Sequence, residues 1–274
     1  MNKKIIVLLS ILLSVACNNH TENNTGSGSA GAVDNTPPII NYTVVNALPH
    51  DTTSFTEGFL FHNGQLYEST GHTDNYPSSR SLFGAVDLSN GKIQTKVEID
   101  KNKYFGEGIV FLNGKVYQLT LDNKIGFVYD AKTFKKNGEF ILPSEHGWGM
   151  TTDGKYLIIS DGSSNLYYLD PDSYKLIKIV GVTDNNGPVG NINELEMIDG
   201  YLYANHWQTN DILKIDPSSG KVLGKLDLSS LSSEAQNKYP GSAEMNGIAY
   251  DSSSKKVYVT GKMWPNIYEI KFSH

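Results

Sequence analysis

The sequence predicts an all-β ring, a five-bladed β-propeller of four-stranded antiparallel blades. Three observations predict it: a template written five times along the chain, short strands separated by Asn-Gly, Asp-Gly and Asp-Pro turns, and a strand left over at the start that can complete an unfinished last copy. The composition agrees, since 26 Gly and 16 Tyr in 274 residues favour turns and strands over helices.

The first copy, FTEGFLFHNGQLYEST (55–70), and the second, FGEGIVFLNGKVYQLT (105–120), share Phe-x-Glu-Gly, an apolar run, an Asn-Gly turn and an apolar-Tyr strand. Aligned on the turn, HGWGMTTDGKYLIISDG (146–162), INELEMIDGYLYANHW (192–207) and MNGIAYDSSSKKVYVTG (245–261) give three more copies, with starts 41 to 53 residues apart. Each copy supplies an inner strand, a turn and a second strand. A third strand follows in SLFGAVDL, KIGFVYDA, NLYYLDPD, DILKIDPS and NIYEIKFS, and a fourth in KIQTKVEI, KNGEFIL, LIKIVGVT and KVLGKLDL. The fifth copy stops at His274 after three strands, while IINYTVVNAL (39–48) precedes the first. That segment is expected to become the outer strand of the last blade and close the ring, leaving no open break between the first and last blades. A β-sandwich of similar strand content does not account for five aligned copies.

In a propeller the first strand of each blade lines the central channel, so equivalent positions converge near the axis. Here they are Glu57, Glu107, Trp148, Asn193 and Asn246. Two carboxylates on neighbouring channel strands repel one another and lose hydration, and both effects raise the pKa of one of them. A carboxyl group titrating nearer neutrality suits proton shuttling. Each Glu could instead accept hydrogen bonds from channel amides or hold an ion, and the residues alone leave that open. The second strands add YANHWQT (203–209) and VTGKMWP (259–265). Trp207 can form a flat wall for a small substrate, Lys262 can pair with a carboxylate or bind a carbonyl oxygen, and Trp264-Pro265 reads as packing.

Ahead of the domain, Lys3 and Lys4, the apolar run 5–13 and SVAC (14–17) have the pattern of a bacterial export leader over residues 1–17. The run is too short to span a bilayer as a permanent anchor. Cys17 is the only cysteine, which excludes an intrachain disulfide, and its place after the leader reads as a lipidation site. The position three residues before it is Ser14, with Leu13 one further back, and cleavage after Ala16 is the alternative. Residues 18–38 carry almost no large apolar groups and are expected to be a flexible linker, with the propeller over 39–274. A lipid on Cys17 would hold the chain, as a monomer, on the periplasmic face of a bacterial membrane. The net charge of −6 and the lack of Lys/Arg clusters argue against nucleic acid as a partner.

Taken as a set and in order from about residue 40 to the C terminus, FTEG, FGEG, GWGMTTDG, NELEMIDG, NHWQT, MNGIAYD and TGKMWP resemble the glutaminyl-peptide cyclotransferases of the plant and bacterial type, which are five-bladed propellers. The resemblance implies conversion of N-terminal glutaminyl residues of peptides and proteins to pyroglutamate, with release of ammonia. It implies Glu107 as the catalytic acid and base, and Glu57, Trp148, Asn193, Trp207 and Lys262 as the lining of the substrate pocket. One departure is Leu121, where family members often carry a Trp that closes YQxxW. No cofactor or metal is required. The seven histidines are scattered, without the HxxE or HxxH spacing of a zinc site. A calcium ion held by backbone carbonyls in the channel is compatible with the fold. Two rival readings are a non-catalytic peptide- or glycan-binding lipoprotein, which needs no carboxylate at 107, and a lactonase-like hydrolase with calcium held by Glu57, Asn193 and Asn246.

Overall fold

The computed structural model describes residues 36–274, so the export leader, Cys17 and residues 18–35 of the linker lie outside the described residues. Blade 1 is built from Thr56–His62, Gln65–Thr70, Leu82–Val86 and Ile93–Glu98, and blade 2 from Gly106–Leu112, Lys115–Thr120, Ile125–Asp130 and Lys136–Ile141. Blade 3 comprises Met150–Thr152, Leu157–Ser160, Asn165–Leu169 and Leu176–Gly181, and blade 4 Ile192–Ile198, Tyr201–His206, Asp211–Ile215 and Val222–Asp227. Blade 5 takes Met245–Asp251, Lys256–Gly261 and Asn266–Phe272, and its outer strand is Tyr42–Pro49 from the start of the domain. Each inner strand packs against the inner strands of both flanking blades, and that of blade 5 closes against blade 1. The five-bladed propeller expected from the repeat is the observed fold.

Turn chemistry sets the hairpins. Asn63-Gly64, Asn113-Gly114 and Asp199-Gly200 all have positive φ at both residues, the primed geometry that matches strand twist. Blade 3 differs: Gly154 is left-handed at φ +85° but Asp153 is not, and the Asp153 carboxylate instead accepts the N–H of Lys155 and of Tyr156 at 2.9 and 2.7 Å. Between third and fourth strands, Asp87, Asp130, Asp170 and Asp216 each accept backbone N–H groups two or three residues on, which pins four equivalent turns.

The apolar core is divided into five clusters, one at each blade-to-blade interface. Tyr117, Leu119 and Val128 of blade 2 meet Leu157, Ile159 and Leu169 of blade 3, for example. Burying each such side chain contributes roughly 1.5–3 kcal/mol, so the ring is held mainly by contacts between sheets and the axis is left to polar groups. Closure goes one step beyond the expectation. The Pro38 carbonyl accepts the Lys225 N–H (2.9 Å) and the Ile40 N–H donates to the Lys225 carbonyl (2.7 Å), so the chain is tied to the outer edge of blade 4 before it crosses to blade 5. There Thr43 pairs with Lys271 and Leu48 with Ile267. The helix Ser229–Lys238, between blades 4 and 5, sets Leu231 and Ala235 into their interface. Among the described residues no helix is long and apolar enough to cross a membrane.

Candidate active site

At one level of the channel the inner strands lose register with their neighbours. The shift falls across Glu57 in blade 1, Glu107 and Gly108 in blade 2, Asn193 and Glu194 in blade 4, and Asn246 and Gly247 in blade 5. In blade 3 the ladder begins only at Met150, so Trp148 stands ahead of it. A bulge turns a side chain out of the regular pleat. These are the positions that the sequence repeat aligns.

In blades 1, 2 and 3 the glycine that follows the aligned residue has a steric cause. A Cβ on Gly58 would lie 2.9 Å from the Ile109 nitrogen, on Gly108 2.5 Å from the Met150 nitrogen, and on Gly149 2.1 Å from the Asn193 oxygen. Adjacent inner strands therefore approach closely only without a side chain, and the Gly108 N–H donates to the Trp148 carbonyl at 2.8 Å. Blade 4 carries Glu194 in that place. Its carboxylate accepts the N–H groups of Phe59 (3.3 Å) and Ile248 (2.8 Å) on blades 1 and 5, bridging the channel one level further in. Second-strand side chains clamp the bulges of the next blade: Ser69 Oγ donates to the Glu107 carbonyl (2.6 Å), Ser160 Oγ to the Asn193 carbonyl (2.7 Å), and Asn205 Oδ1 accepts the Gly247 N–H (2.9 Å).

Three titratable groups meet at this level, all almost fully buried. Lys262 Nζ lies 2.7 Å from Glu57 Oε1, and Asn246 Nδ2 donates to Glu57 Oε2 at 3.0 Å. Lys262 Nζ also sits 4.5 Å above the Phe55 ring. Burial opposes the charge on Lys262, yet Glu57 and then Glu107 outweigh it and hold its pKa above the ordinary value. Glu57 is raised to about 7, chiefly by burial, against the pull of Lys262. Glu107 is pushed well above the usual carboxyl range, first by burial and then by the charge of Glu57. Among the described residues Glu107 Oε2 is buried and has no hydrogen-bond partner, and the same holds for Asn193 Oδ1 and Asn246 Oδ1.

Aromatic groups stand beside this level. Trp148 and Trp207 meet edge to face with ring centroids 5.3 Å apart, both half-buried. Gly162 leaves room for the Trp148 indole, since a Cβ there would lie 2.6 Å from its ring. Phe55 and Phe105 stand edge to face at 6.0 Å, and Tyr76 packs on Phe55 at 5.5 Å. Leu121, also half-buried, donates its N–H to the Phe105 carbonyl (3.2 Å), and its carbonyl accepts the Gly147 N–H (3.2 Å) one residue before Trp148.

The family model for glutamine cyclotransferase matches residues 8–272. The chain belongs to the glutamine cyclotransferase family. It is 38% identical over 251 residues to a glutaminyl-peptide cyclotransferase of Arabidopsis thaliana, covering 91% of this chain and 77% of the relative. Among solved structures it resembles the glutaminyl cyclase of Myxococcus xanthus, with a TM-score of 0.77 and 31% identity over 87% of this chain and 99% of that one.

In this cyclotransferase-family chain, Glu57, Glu107, Trp148 and Asn193 all lie at the bulge level, Lys262 is ion-paired to Glu57, and Trp207 touches Trp148. Trp264 is fully buried, and its Nε1 donates to the Ala243 carbonyl, so it packs as expected. Other residues of the site were not picked out from the sequence. Phe55 and Phe105 are the first letters of the two F-x-E-G strings, and that repetition was the available signal. His50 and Glu68 gave no such signal, because they meet only through the fold. Glu68 accepts the Thr56 hydroxyl (2.7 Å) and faces His50 Nε2 (3.1 Å), while His50 Nδ1 faces the Trp264 carbonyl (2.8 Å). Both ring nitrogens thus face acceptors, the arrangement of an imidazolium. Burial opposes that charge, but Glu68 outweighs it and the His50 pKa is raised. This buried pair ties the segment before Glu57 to the segment after Lys262. Among the described residues no group of three or more His, Cys, Asp or Glu side chains is placed to hold a metal ion. Both oxygens of Glu57 already face N–H donors, and the Lys262 ammonium supplies the positive charge beside them.

Proposed function

We propose that this chain is a glutaminyl-peptide cyclotransferase, closing the N-terminal Gln of peptides and proteins to pyroglutamate with release of ammonia. The observation that carries the reading is Glu107: a buried carboxyl of raised pKa with an unpartnered oxygen, at the level of the Glu57–Lys262 pair and flanked by Trp148 on the next blade. The 38% identity to the Arabidopsis glutaminyl-peptide cyclotransferase supports the same substrate class.

The α-amine and the side-chain amide carbon belong to one substrate, so ring closure begins with a large effective molarity. The amine nitrogen attacks the amide carbon Cδ, and the bond from Cδ to the amide nitrogen breaks. Glu107 takes one proton from the substrate ammonium to free the attacking lone pair and gives it to the departing nitrogen, which leaves as ammonia, while the ring nitrogen sheds its own surplus proton to the carboxylate; such general acid–base transfer contributes about 10²- to 10⁴-fold. Trp148 and Trp207 hold the glutaminyl side chain. Asn193 Oδ1 accepts from its amide N–H. Lys262 keeps one donor on Glu57 and turns another to the carbonyl oxygen on which charge develops. No step uses a metal. The leader pattern over residues 1–17 supports export and a lipid on Cys17, which would present a monomeric enzyme in the periplasm.

The test is ammonia release from a Gln-initiated dipeptide, with and without a chelator. The expected result is one ammonia and one pyroglutamyl product per turnover, undiminished by prolonged chelation. Absence of product overturns the reading, and loss on chelation with recovery in calcium returns the lactonase-like alternative.

A further inference from the structure

Beside the site, on the rim of blades 4 and 5, lies a polar groove of about 350 Å³. Its lining includes Tyr76, Gln208, Asn210, Gln236, Ala243 and Glu244. It is continuous with the site through both chain and packing. Gln208 directly follows Trp207, and its left-handed backbone, φ +65°, turns the chain there. Tyr76 packs on Phe55, the ring under Lys262. The Lys262 N–H donates to the Glu244 carbonyl (2.9 Å), and the Ala243 N–H donates to the Lys262 carbonyl (2.8 Å), so Glu244 is held directly beside the site lysine.

We propose that this groove receives the residues that follow the N-terminal Gln of the substrate, and that Glu244 makes it favour a Lys or Arg there over an acidic residue. The proposal rests on the cyclotransferase reading of the adjoining site. Its chemistry is that of an extended peptide. Gln208, Asn210 and Gln236 each offer a carboxamide that can both donate and accept, which suits the alternating C=O and N–H groups of a strand. Among the described residues Glu244 is the only charged side chain in the lining, and it is exposed to an incoming ligand. Its charge also reaches inward, since it raises the pKa of both Glu57 and Lys262. A substrate cation over Glu244 would thus be attracted without entering the buried site, where Lys262 would repel it.

The experiment compares kcat/KM for Gln-Lys, Gln-Ala and Gln-Glu peptides of equal length, and for the same series with the varied residue in third place, using the parent protein, Glu244→Gln and Glu244→Lys. The ratio of Lys to Glu peptide is read because it cancels any effect that a substitution has on the chemical step. At one of the two places the parent is expected to favour Lys over Glu about 3- to 10-fold at low salt, as suits a solvent-exposed charge pair. Glu244→Gln should bring that ratio to about 1 and Glu244→Lys should invert it, and raising salt to about 0.5 M should compress the parent's preference. Turnover with the same ratio in all three proteins overturns the groove assignment and leaves the cyclotransferase reading standing. Lack of pyroglutamate from every peptide overturns that reading and this assignment with it.

Discussion

Replacing Glu107 with Gln lowers kcat for Gln-peptide cyclisation by about 10²- to 10⁴-fold, the range general acid–base transfer supplies. The same substitution should leave thermal stability equal to the parent's or higher. The two effects separate because Glu107 Oε2 has no protein hydrogen bond to lose and its carboxyl is buried beside the charge of Glu57. A carboxamide of the same shape removes the repulsion and keeps the volume, but cannot take the amine proton. Substrate held by Trp148, Trp207 and Lys262 should still bind, so the loss falls on kcat more than on KM. A folded Glu107→Gln protein that cyclises Gln-peptides as fast as the parent would remove Glu107 from the mechanism.

Lys262→Met damages folding as well as catalysis. Breaking a buried ion pair by removing one partner typically costs about 3–5 kcal/mol, because the other charge is left buried and unpaired. Glu57 already titrates at about 7 with Lys262 2.7 Å away. Without the lysine its pKa rises further, so the group binds a proton when the chain folds. The cost of the variant should therefore be small in mild acid and grow with pH, since a carboxyl whose folded pKa is raised destabilises the native state at every pH above its unfolded value. The double variant Glu57→Gln with Lys262→Met should regain most of the stability, having no orphan charge, while activity stays about 10²- to 10³-fold down for want of a preorganised donor. Urea unfolding of both variants across pH decides this. A Lys262→Met cost that is independent of pH would mean that the pair is not electrostatically coupled.

The architecture was legible because one physical unit is repeated. Four of the five inner-strand turns carry Asn-Gly or Asp-Gly, and every blade needs its neighbours to bury its faces, so five copies imply a ring. The strand Tyr42–Pro49 could be placed in blade 5 from the incomplete last copy alone. The helix Ser229–Lys238 was not foreseen, because its sequence SSLSSEAQNK offers only Leu231 and Ala235 as an apolar face. The glycines explain why the convergence of these positions could be read: Glu57 and Glu107 precede glycines that must lie against the next inner strand, so candidate site residue and scaffold residue share one motif. Contacts made only in the folded chain left no such trace. His50 meets Glu68, and Glu244 borders Lys262, through contacts that only the folded ring makes, and no motif connects them.

The central claim is that Glu107 carries the proton and that burial and Glu57 set its affinity for it. The pH dependence of kcat/KM, for the parent and for Glu57→Gln, tests this most directly. The productive complex holds one proton between the substrate amine, whose free pKa is about 8, and a carboxyl; with two protons there is no nucleophile, and with none there is no acid for the leaving nitrogen. The parent should give a bell whose acid limb, a property of the coupled Glu57 and Glu107 pair, stands well above the ordinary carboxyl value of about 4.3. Removing the negative neighbour in Glu57→Gln makes Glu107 easier to ionise and should move that limb down. An acid limb at the ordinary carboxyl value in both proteins would contradict the account.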